Sequence, residues 1–380
     1  MSHKPKFLLI TTVPSSLNFF SGQIQILKKK FDVELISSPD ILLDEICEKE
    51  MVKGYKVYMK REIAFLNDVL SLISLWKLFL KIKPTIIHGN TPKASFLSIF
   101  VGWLCKVPIK IYYVHGLRYQ GTTGVKRHFL MLMERLTCIF ASHIYAVSFG
   151  VKSTIAKDGI TKKKVVVIGN GSVNGIDMGY FSQHNLSIPN LKKIYKLSSE
   201  NFVFGFVGRI VKDKGINELV KAFLKINKLH PKTRLLLVGR FETQDPIDNN
   251  IIDEIKNNKN ILNVGFQKDV RPFLKMMNVF VFPSYREGFG VSLMEAAAMN
   301  VPAITSNIIG CNEIIEDGFN GVLIPPKSVN DLFKAMENIF SNVKITNDMS
   351  KVCRGYVRGK YEQKKLWNRT LKSYHKLLIN

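Results

Sequence analysis

Short apolar runs rich in β-branched and aromatic residues recur along the whole chain, and segments of helical length separate them. Runs of this kind, bounded by polar and glycine-containing turns, are typical of buried strands. They predict strands at residues 7–13, 33–37, 56–59, 85–88, 109–114, 143–147, 165–168, 203–207, 235–238, 261–264, 279–282, 303–305 and 322–324. Because strands that alternate with crossover helices form parallel sheets covered on both faces, the pattern predicts an α/β fold.

Two doubly wound, Rossmann-like domains are the expected arrangement of these elements. The chain has 380 residues, which exceeds the roughly 100 to 200 residues of a usual domain. A polar stretch containing Asn and Ser separates the two series of strands and predicts a linker. The predicted boundaries are a first domain at 1–181, the linker at 182–200, a second domain at 201–355 and a terminal helix at 356–380 that crosses back to the first domain.

The apolar segments are all too short to cross a membrane. Lysines precede an apolar run at the start of the chain, as in a signal peptide, but the run is brief and leads into Pro14, which favours a first strand. The longest apolar stretch, residues 94–105, is shorter than the roughly 20 residues that a bilayer requires. Five cysteines without a C-x-x-C motif indicate neither a disulfide framework nor a zinc site. A reducing, cytosolic setting is therefore expected.

The formal net charge of +25 predicts a polyanionic partner or surface. Between Val69 and Met133 there is no Asp or Glu, and basic residues alternate with bulky apolar ones, as in helices that lie on anionic lipid. The cations of this stretch are Lys77, Lys81, Lys83, Lys93, Lys106, Lys110, Arg118, Lys126 and Arg127. We expect peripheral binding to the inner face of the plasma membrane; the alternative is ordinary core helices with solvated lysines. No nucleic-acid motif accompanies the charge, so nucleic acid is not an expected partner.

The segment at residues 282–295 is the most informative one for chemistry. A strand ends at Pro283, a loop with two glycines follows, and a helix begins near Gly290, so backbone N–H groups at the helix N-terminus could bind a phosphate. Glu287 lies in the loop and Glu295 on the helix, so the two carboxylates can reach different parts of one extended ligand. Hydroxyl groups of a sugar and a ribose would suit them. The alternative is two solvated acids.

A second strand, loop and helix at residues 206–215 carries two cations. Arg209 and Lys214 flank the turn and are suited to bind a diphosphate. They would stabilise the negative charge that develops when a nucleoside diphosphate departs, without a metal ion. The alternative is that both side chains are merely solvated at the turn.

These two segments, together with residues 301–306 and 313–321, resemble the donor domain of family 4 glycosyltransferases. The E-x7-E pair is Glu287 and Glu295, and the G-R-x4-K-G motif begins at Gly208. The resemblance implies a GT-B fold, in which two Rossmann-like domains face a cleft. It also implies transfer with retention of configuration, no cofactor beyond a nucleotide diphosphate sugar as co-substrate, and no obligatory metal. The absence of a D-x-D motif or a His/Asp cluster agrees with the last point.

The resemblance also assigns roles to single residues. It implies that Glu287 contacts the donor sugar, that Glu295 contacts the ribose, and that Arg209 and Lys214 contact the diphosphate. The backbone N–H groups of four residues are expected to donate hydrogen bonds to the sugar and phosphate of the donor: Gly288, Phe289, Gly290 and Val291. His115, at the end of a predicted strand, matches a sugar-facing residue beside the reaction centre; the alternative is an ordinary core histidine.

The first half of the chain is similar to the branch of the family that extends polyprenyl diphosphate-linked sugars for capsules, O antigens and glycoprotein glycans. The similarity lies in residues 88–93 and 114–117. It implies a lipid-linked saccharide acceptor whose diphosphate faces Lys93, with Arg118 nearby, and an N-acetylated hexosamine or related sugar as the donor sugar. The loop at 14–22 has one glycine where a Gly-Gly pair is common, so close approach of this backbone to the donor phosphate is not expected.

Other functions remain open from the sequence. The same fold serves nucleotide-sugar epimerases and transferases with soluble acceptors, so the fold by itself does not identify the reaction. A non-catalytic, basic peripheral membrane protein is a further alternative. The presence of all four donor-site residues, Glu287, Glu295, Arg209 and Lys214, favours an enzyme.

Overall fold

The protein divides into two compact units in a computed structural model, which describes residues 4–62, 64–183, 186 and 189–379. The first unit comprises Met1–Gly175 and Gln363–Asn380, and the second comprises Ile176–Glu362. Each unit is built around one parallel sheet with helices on its faces. The predicted α/β class is confirmed.

The first unit contains a seven-stranded sheet in the order β3-β2-β1-β4-β5-β6-β7, and every pairing is parallel. Its strands are β1 (Lys6–Ile10), β2 (Asp32–Ser37), β3 (Lys53–Lys56), β4 (Ile86–Gly89), β5 (Ile109–Val114), β6 (His143–Ala146) and β7 (Val165–Val166). The helices are α1 (Gln23–Leu27), α2 (Ile41–Glu50), α3 (Phe65–Ile82), α4 (Pro92–Leu104), α5 (Gly124–Phe140) and α6 (Phe149–Lys157), with short 3-10 helices at Pro14–Phe20 and Arg118–Gly121.

The second unit contains a six-stranded parallel sheet in the order β10-β9-β8-β11-β12-β13. Its strands are β8 (Phe202–Val207), β9 (Thr233–Val238), β10 (Ile261–Asn263), β11 (Val279–Phe282), β12 (Ala303–Ser306) and β13 (Gly321–Ile324). The helices are α7 (Pro189–Ile194), α8 (Ile216–Leu229), α9 (Asn249–Asn257), α10 (Arg271–Met276), α11 (Val291–Ala298), α12 (Val329–Ser341) and α13 (Val343–Tyr361), with a 3-10 helix at Lys212–Lys214.

The predicted strands all have a counterpart, and the third is displaced. The predicted strand is at 56–59, whereas β3 ends at Lys56. The apolar residues that suggested the later position, Val57 and Met59, are buried. Val57 still donates a backbone hydrogen bond to Ser37, but the chain leaves the ladder there. The predicted strand was displaced because these two apolar residues are buried after the strand has ended.

The boundaries between the units depend on contacts that sequence analysis did not consider. The first domain was expected to end at 181, but Ile176 donates a backbone hydrogen bond to Tyr361 at 2.8 Å. The Arg354 guanidinium donates to the carbonyl oxygens of Met178 and Phe181. These contacts attach residues 176–181 to the second unit. In the predicted linker, residues 184, 185, 187 and 188 lie outside the described residues, and α7 follows them.

The last helix, α14 (Gln363–Lys376), is grouped with the first unit. The predicted terminal helix at 356–380 is thus divided, because residues 356–361 belong to α13 and the backbone at Glu362 leaves the helical conformation. Tyr374 of α14 is buried, and its hydroxyl lies 2.8 Å from Nε2 of His88. Trp367 donates its indole N–H to Asn174 at 2.6 Å. Among the helices of the described ranges, none has the length and apolar character needed to cross a bilayer.

Candidate active site

The two loops that sequence analysis selected follow neighbouring strands. β8 and β11 pair in parallel, with Phe280 opposite Gly205. Their carboxyl ends therefore bring the loop after Val207 beside the loop after Phe282. In open parallel sheets, ligands bind beyond the carboxyl ends of the strands. The sheet order thus places both motifs at one potential ligand site.

Gly215 allows the two loops to lie in direct contact. Its φ is +72°, and a Cβ atom at this position would lie 2.1 Å from the carbonyl oxygen of Pro283. Any larger residue would separate the loops or force a strained backbone. The backbone N–H of Tyr285 also donates to the carbonyl of Asp213 at 2.8 Å. The relative position of the loops is therefore set by the backbone.

Lys214 and Glu287 form a direct ion pair across these loops. Their side chains are only 14% and 12% exposed, and the Lys214 ammonium lies 5.2 Å from the centre of the Phe282 ring. Removing two charges from water is costly, so a pair in this environment contributes little net stability. Such pairs in a ligand-accessible position are candidates for function. The arrangement presents one cation and one hydrogen-bond acceptor together.

Arg209 has a different partner from the one expected. Its guanidinium lies 2.9 Å from Glu242, and both side chains are partly solvated, at 51% and 34% exposure. Glu242 was not among the predicted site residues; it lies in the loop after β9, the strand beside β8. The rule that ligands lie at strand ends would have identified this loop. A solvated pair of this kind contributes about 0 to 1 kcal/mol, so Arg209 can exchange partners at little cost.

A second ion pair links the same two loops. Arg286 lies 3.2 Å from the carboxylate of Asp213, so residues 213 and 214 each pair with a residue in the stretch 286–287. The backbone N–H of Asp213 donates to Asp245 at 2.7 Å. These residues were not among the predicted site residues, although Asp213 and Arg286 are their immediate neighbours. Their role in the structure is to hold Lys214 and Glu287 in position.

The loop before α11 supplies fewer free backbone donors than expected. The N–H of Gly290 donates to Gly310 at 2.9 Å, and that of Val291 donates to Phe289 at 3.0 Å. The N–H groups of Gly288 and Phe289 have no hydrogen-bond acceptor within the described residues. Gly310 lies against this loop, and a Cβ atom there would be 2.8 Å from Gly288. Only Gly288 and Phe289 therefore present uncommitted donors among the four expected residues.

Glu295 projects from the second turn of α11 and is half-buried. Burial raises the pKa of its carboxyl group to about 7. No hydrogen bond to Glu295 is formed by any other described side chain. Ligand hydroxyls that donate to this carboxyl group would favour its ionised form.

His115 lies at the end of β5 in the first unit. It is half-buried, and its Nε2 is 3.3 Å from the side-chain oxygen of Asn90, which follows β4. Its ring is 5.0 Å from Tyr113 and 6.1 Å from Phe20. Burial lowers the pKa of His115 to about 4, so the imidazole is neutral near pH 7. Asn90 was missed by sequence analysis, although it too lies at the end of a strand.

Lys93 and Arg118 also belong to the first unit, and they differ in their surroundings. Lys93 lies in the first turn of α4, with its ammonium 2.6 and 2.9 Å from the Asp68 carboxylate oxygens, and its side chain is 12% exposed. Arg118 is exposed and forms no ion pair with another described residue. The expected acceptor cation Lys93 is therefore neutralised by an acid that immediately precedes the acid-free stretch.

Comparisons with known proteins agree with these features. The family described as "Glycosyltransferase Family 4" matches residues 25–172, and "Glycosyl transferases group 1" matches residues 187–355. The capsular polysaccharide biosynthesis glycosyltransferase CapM of Staphylococcus aureus is 34% identical over 98% of this chain and 97% of its own length. This chain belongs to the family 4 glycosyltransferases. The predicted family is confirmed, and so is the prediction that the protein is a glycosyltransferase.

A second relative and two solved structures extend the comparison. The UDP-Gal:alpha-D-GlcNAc-diphosphoundecaprenol alpha-1,3-galactosyltransferase of Escherichia coli is 27% identical, over 93% of this chain and 91% of its own. Anabaena HepE, solved with UDP and glucose, superposes with a TM-score of 0.82 at 17% identity, covering 98% of this glycosyltransferase and 100% of HepE. Sucrose-phosphate synthase from Thermosynechococcus elongatus superposes with a TM-score of 0.79 at 19% identity, covering 99% of this chain and 100% of the synthase. The structural likeness confirms the GT-B fold.

Proposed function

We propose that this glycosyltransferase transfers a sugar from a nucleotide diphosphate donor to a polyprenyl diphosphate-linked saccharide, with retention of anomeric configuration. The Lys214–Glu287 pair beside the two free N–H groups of the loop before α11 carries the donor part of this proposal. The relative from E. coli, whose name specifies a diphosphoundecaprenol acceptor, supports the acceptor part. The relative CapM supports a role in capsule or related surface polysaccharide assembly.

In the proposed donor complex, the diphosphate binds Lys214. It also replaces Glu242 as the partner of Arg209. Glu287 accepts hydrogen bonds from hydroxyls of the donor sugar, which we propose is an N-acetylated hexosamine or a related sugar. Glu295 accepts hydrogen bonds from the ribose. The N–H groups of Gly288 and Phe289 add donors toward the sugar and phosphate.

The proposed reaction places the acceptor hydroxyl on the same face of the sugar as the leaving phosphate. The bond between the anomeric carbon and the phosphate oxygen breaks, and the acceptor oxygen forms the new bond to that carbon. The departing phosphate oxygen takes the proton of the acceptor hydroxyl. Lys214 and Arg209 stabilise the negative charge on this oxygen. Electrostatic stabilisation of this kind is usually the largest single contribution to the rate enhancement. Neutral His115 would contribute a hydrogen bond to the sugar and would not act as a cation. The step requires no metal ion or further cofactor.

The function is tested with purified protein, a panel of nucleotide sugars and a synthetic polyprenyl diphosphate-linked saccharide. We expect acceptor-dependent release of the nucleoside diphosphate for one donor, an α-linked product from an α-linked donor by NMR, and activity that survives EDTA. A product of inverted configuration, loss of activity on chelation that Mg²⁺ restores, or conversion of the donor without transfer would contradict the corresponding part of the proposal.

We also propose that the first unit binds the anionic inner surface of the plasma membrane. Helix α3 exposes large apolar side chains to solvent, with Phe65 79%, Leu66 78% and Leu70 63% exposed. The same helix exposes Trp76 and Leu80 among its lysines. An exposed apolar strip beside cations suits a lipid headgroup region better than an ordinary core helix.

A further inference from the structure

A groove of about 360 Å³ lies among α3, α4 and α5 of the first unit. Fifteen residues line it, and nine of them are apolar, so its interior would receive an apolar chain rather than a sugar. Representative lining residues are Phe65, Val69, Leu72, Phe96, Phe129 and Met133. Its volume falls within the roughly 300 to 1,000 Å³ of small-ligand sites.

The two acidic residues that line this groove contribute little free negative charge. Asp68 is paired with Lys93 at 2.6 Å. Glu134 is buried, accepts a hydrogen bond from the Tyr112 hydroxyl, and has a pKa that burial raises to about 7. Arg61 and Arg118 also line the groove, are exposed, and form no ion pair with the rest of the described chain. The uncompensated charge of the groove is therefore positive, which complements an anionic headgroup.

The groove lining includes residues that follow two central strands of the sheet. Pro92 and Lys93 line it at the start of α4, shortly after β4 ends at Gly89, and Arg118 lines it shortly after β5 ends at Val114. The ends of the same two strands carry Asn90 and His115, which lie 3.3 Å apart. A ligand with its chain in the groove would thus have its headgroup near His115.

We propose that this groove binds the first isoprenoid units of the acceptor's polyprenyl chain, with Arg118 and Arg61 contacting the diphosphate. This inference rests on the proposed function and adds a location for the lipid chain. An apolar interior, a cationic margin and lining residues that follow β4 and β5, whose ends carry Asn90 and His115, match a diphosphate joined to an apolar chain. A free fatty acid has a similar apolar chain but carries a single carboxylate in place of the diphosphate.

The test uses farnesyl diphosphate as a soluble probe, titrated into the full chain by calorimetry. We expect it to bind at least about 10-fold more tightly than inorganic diphosphate, farnesol or palmitate, which corresponds to about 1.4 kcal/mol. Val69→Trp fills the groove and should weaken farnesyl diphosphate binding by about 10-fold or more. Leu70→Trp, the adjacent residue outside the groove lining, is the matched control and should bind as wild type. Arg118→Ala should weaken farnesyl diphosphate binding without changing that of farnesol.

Met133→Trp fills the groove from α5 and provides a second, independent variant, and thermal melting checks that each variant is folded. The inference would be overturned if wild type and both groove-filling variants bound farnesyl diphosphate with equal affinity. It would also be overturned if wild type bound palmitate or inorganic diphosphate as tightly as farnesyl diphosphate. Sugar transfer is measured in parallel with a polyprenyl diphosphate-linked acceptor. Groove binding without any sugar transfer would contradict the proposed function instead, whereas transfer without groove binding would overturn only the present inference.

Discussion

Lys214 and Glu287 illustrate how function differs from stability at the scale of single residues. The pair is largely withdrawn from water, and replacing such a pair by apolar residues is often neutral or stabilising. Within the described part of the chain, it lies beside a helix start without a side-chain cap and two N–H groups without an acceptor. In the proposed donor complex, the anionic diphosphate replaces Glu287 as the partner of Lys214, and sugar hydroxyls donate to Glu287.

Replacing Lys214 by Ala should therefore lower kcat/KM by about 10²-fold or more, because one preorganised charge that stabilises the leaving group is lost. Steady-state kinetics with a verified donor measure the effect. Lys212→Ala is the matched control, since Lys212 is exposed in the same 3-10 turn. Similar turnover of the two variants would exclude Lys214 from the donor site.

The carboxyl group of Glu295 predicts how the affinity for the donor depends on pH. The pKa of its carboxyl group is raised to about 7 by burial, and ribose hydroxyls that donate to it require the ionised form. Donor affinity should therefore be highest above about pH 7. It should fall as the pH decreases through that value, by a factor approaching about 10 per pH unit. The measurement is the donor dissociation constant across this range. Glu295→Gln should bind more weakly and lose the pH dependence; an unchanged profile would contradict the role.

Helix α14 shows how one element completes the core of a unit from which it is distant in sequence. Tyr374 and His88 are separated by 286 positions and lie within hydrogen-bond distance in a buried aromatic cluster. Burial lowers the pKa of His88 to about 3, so the imidazole stays neutral. Trp367 lies against Gly22, where a Cβ atom would be 2.7 Å from the indole. The helix therefore belongs to the first unit by packing as well as by hydrogen bonds.

Tyr374→Phe should lower the free energy of unfolding by about 1 to 3 kcal/mol, because it leaves a buried imidazole nitrogen without a partner. Nδ1 of His88 already lacks one within the described part of the chain, so the ring would lose its remaining side-chain partner. Chemical denaturation measures the change. Tyr58→Phe, at an exposed position, should remain within about 0.5 kcal/mol of wild type. Equal stability of the two variants would show that the Tyr374 hydroxyl contributes nothing.

At the scale of the whole molecule, the net charge of +25 is unevenly placed. The stretch without acids, from Val69 to Met133, contains most of α3, all of α4 and much of α5. Large apolar side chains on these helices are exposed, including Trp103 at 50% and Leu132 at 50%. Charge and exposed apolar surface thus coincide on one unit, as expected for a protein that approaches anionic lipid.

The protein should sediment with vesicles that contain phosphatidylglycerol and not with phosphatidylcholine vesicles. Each cation near the surface contributes about 1 kcal/mol, and added salt should weaken the binding by screening. Trp76→Glu should reduce binding, because it places a negative charge on the exposed face of α3. Phe319→Glu alters a similarly exposed aromatic residue of the second unit and should leave binding unchanged. Salt-independent binding, or none, would contradict the proposal.

Local sequence determined the elements and the loops that carry the chemistry. The strands β5 and β11 have the predicted bounds, because a run of apolar residues ended by turn residues is a local signal. Glu287 lies in a loop and Glu295 on a helix, as the spacing of glycines indicated. The family motifs were recognisable for the same reason, since each occupies a few consecutive residues.

Only the tertiary structure decided which charged and polar groups remain available to bind a ligand. Lys93 is neutralised by Asp68, 25 positions away, and Arg209 is paired with Glu242, 33 positions away. The N–H of Gly290 is taken by the carbonyl of Gly310. Partners of this kind are set by the order of strands in a sheet and by the packing of helices, which no local pattern encodes. The groove among α3, α4 and α5 likewise exists because three separate segments meet, so its apolar interior and cationic margin are properties of the fold rather than of any one segment.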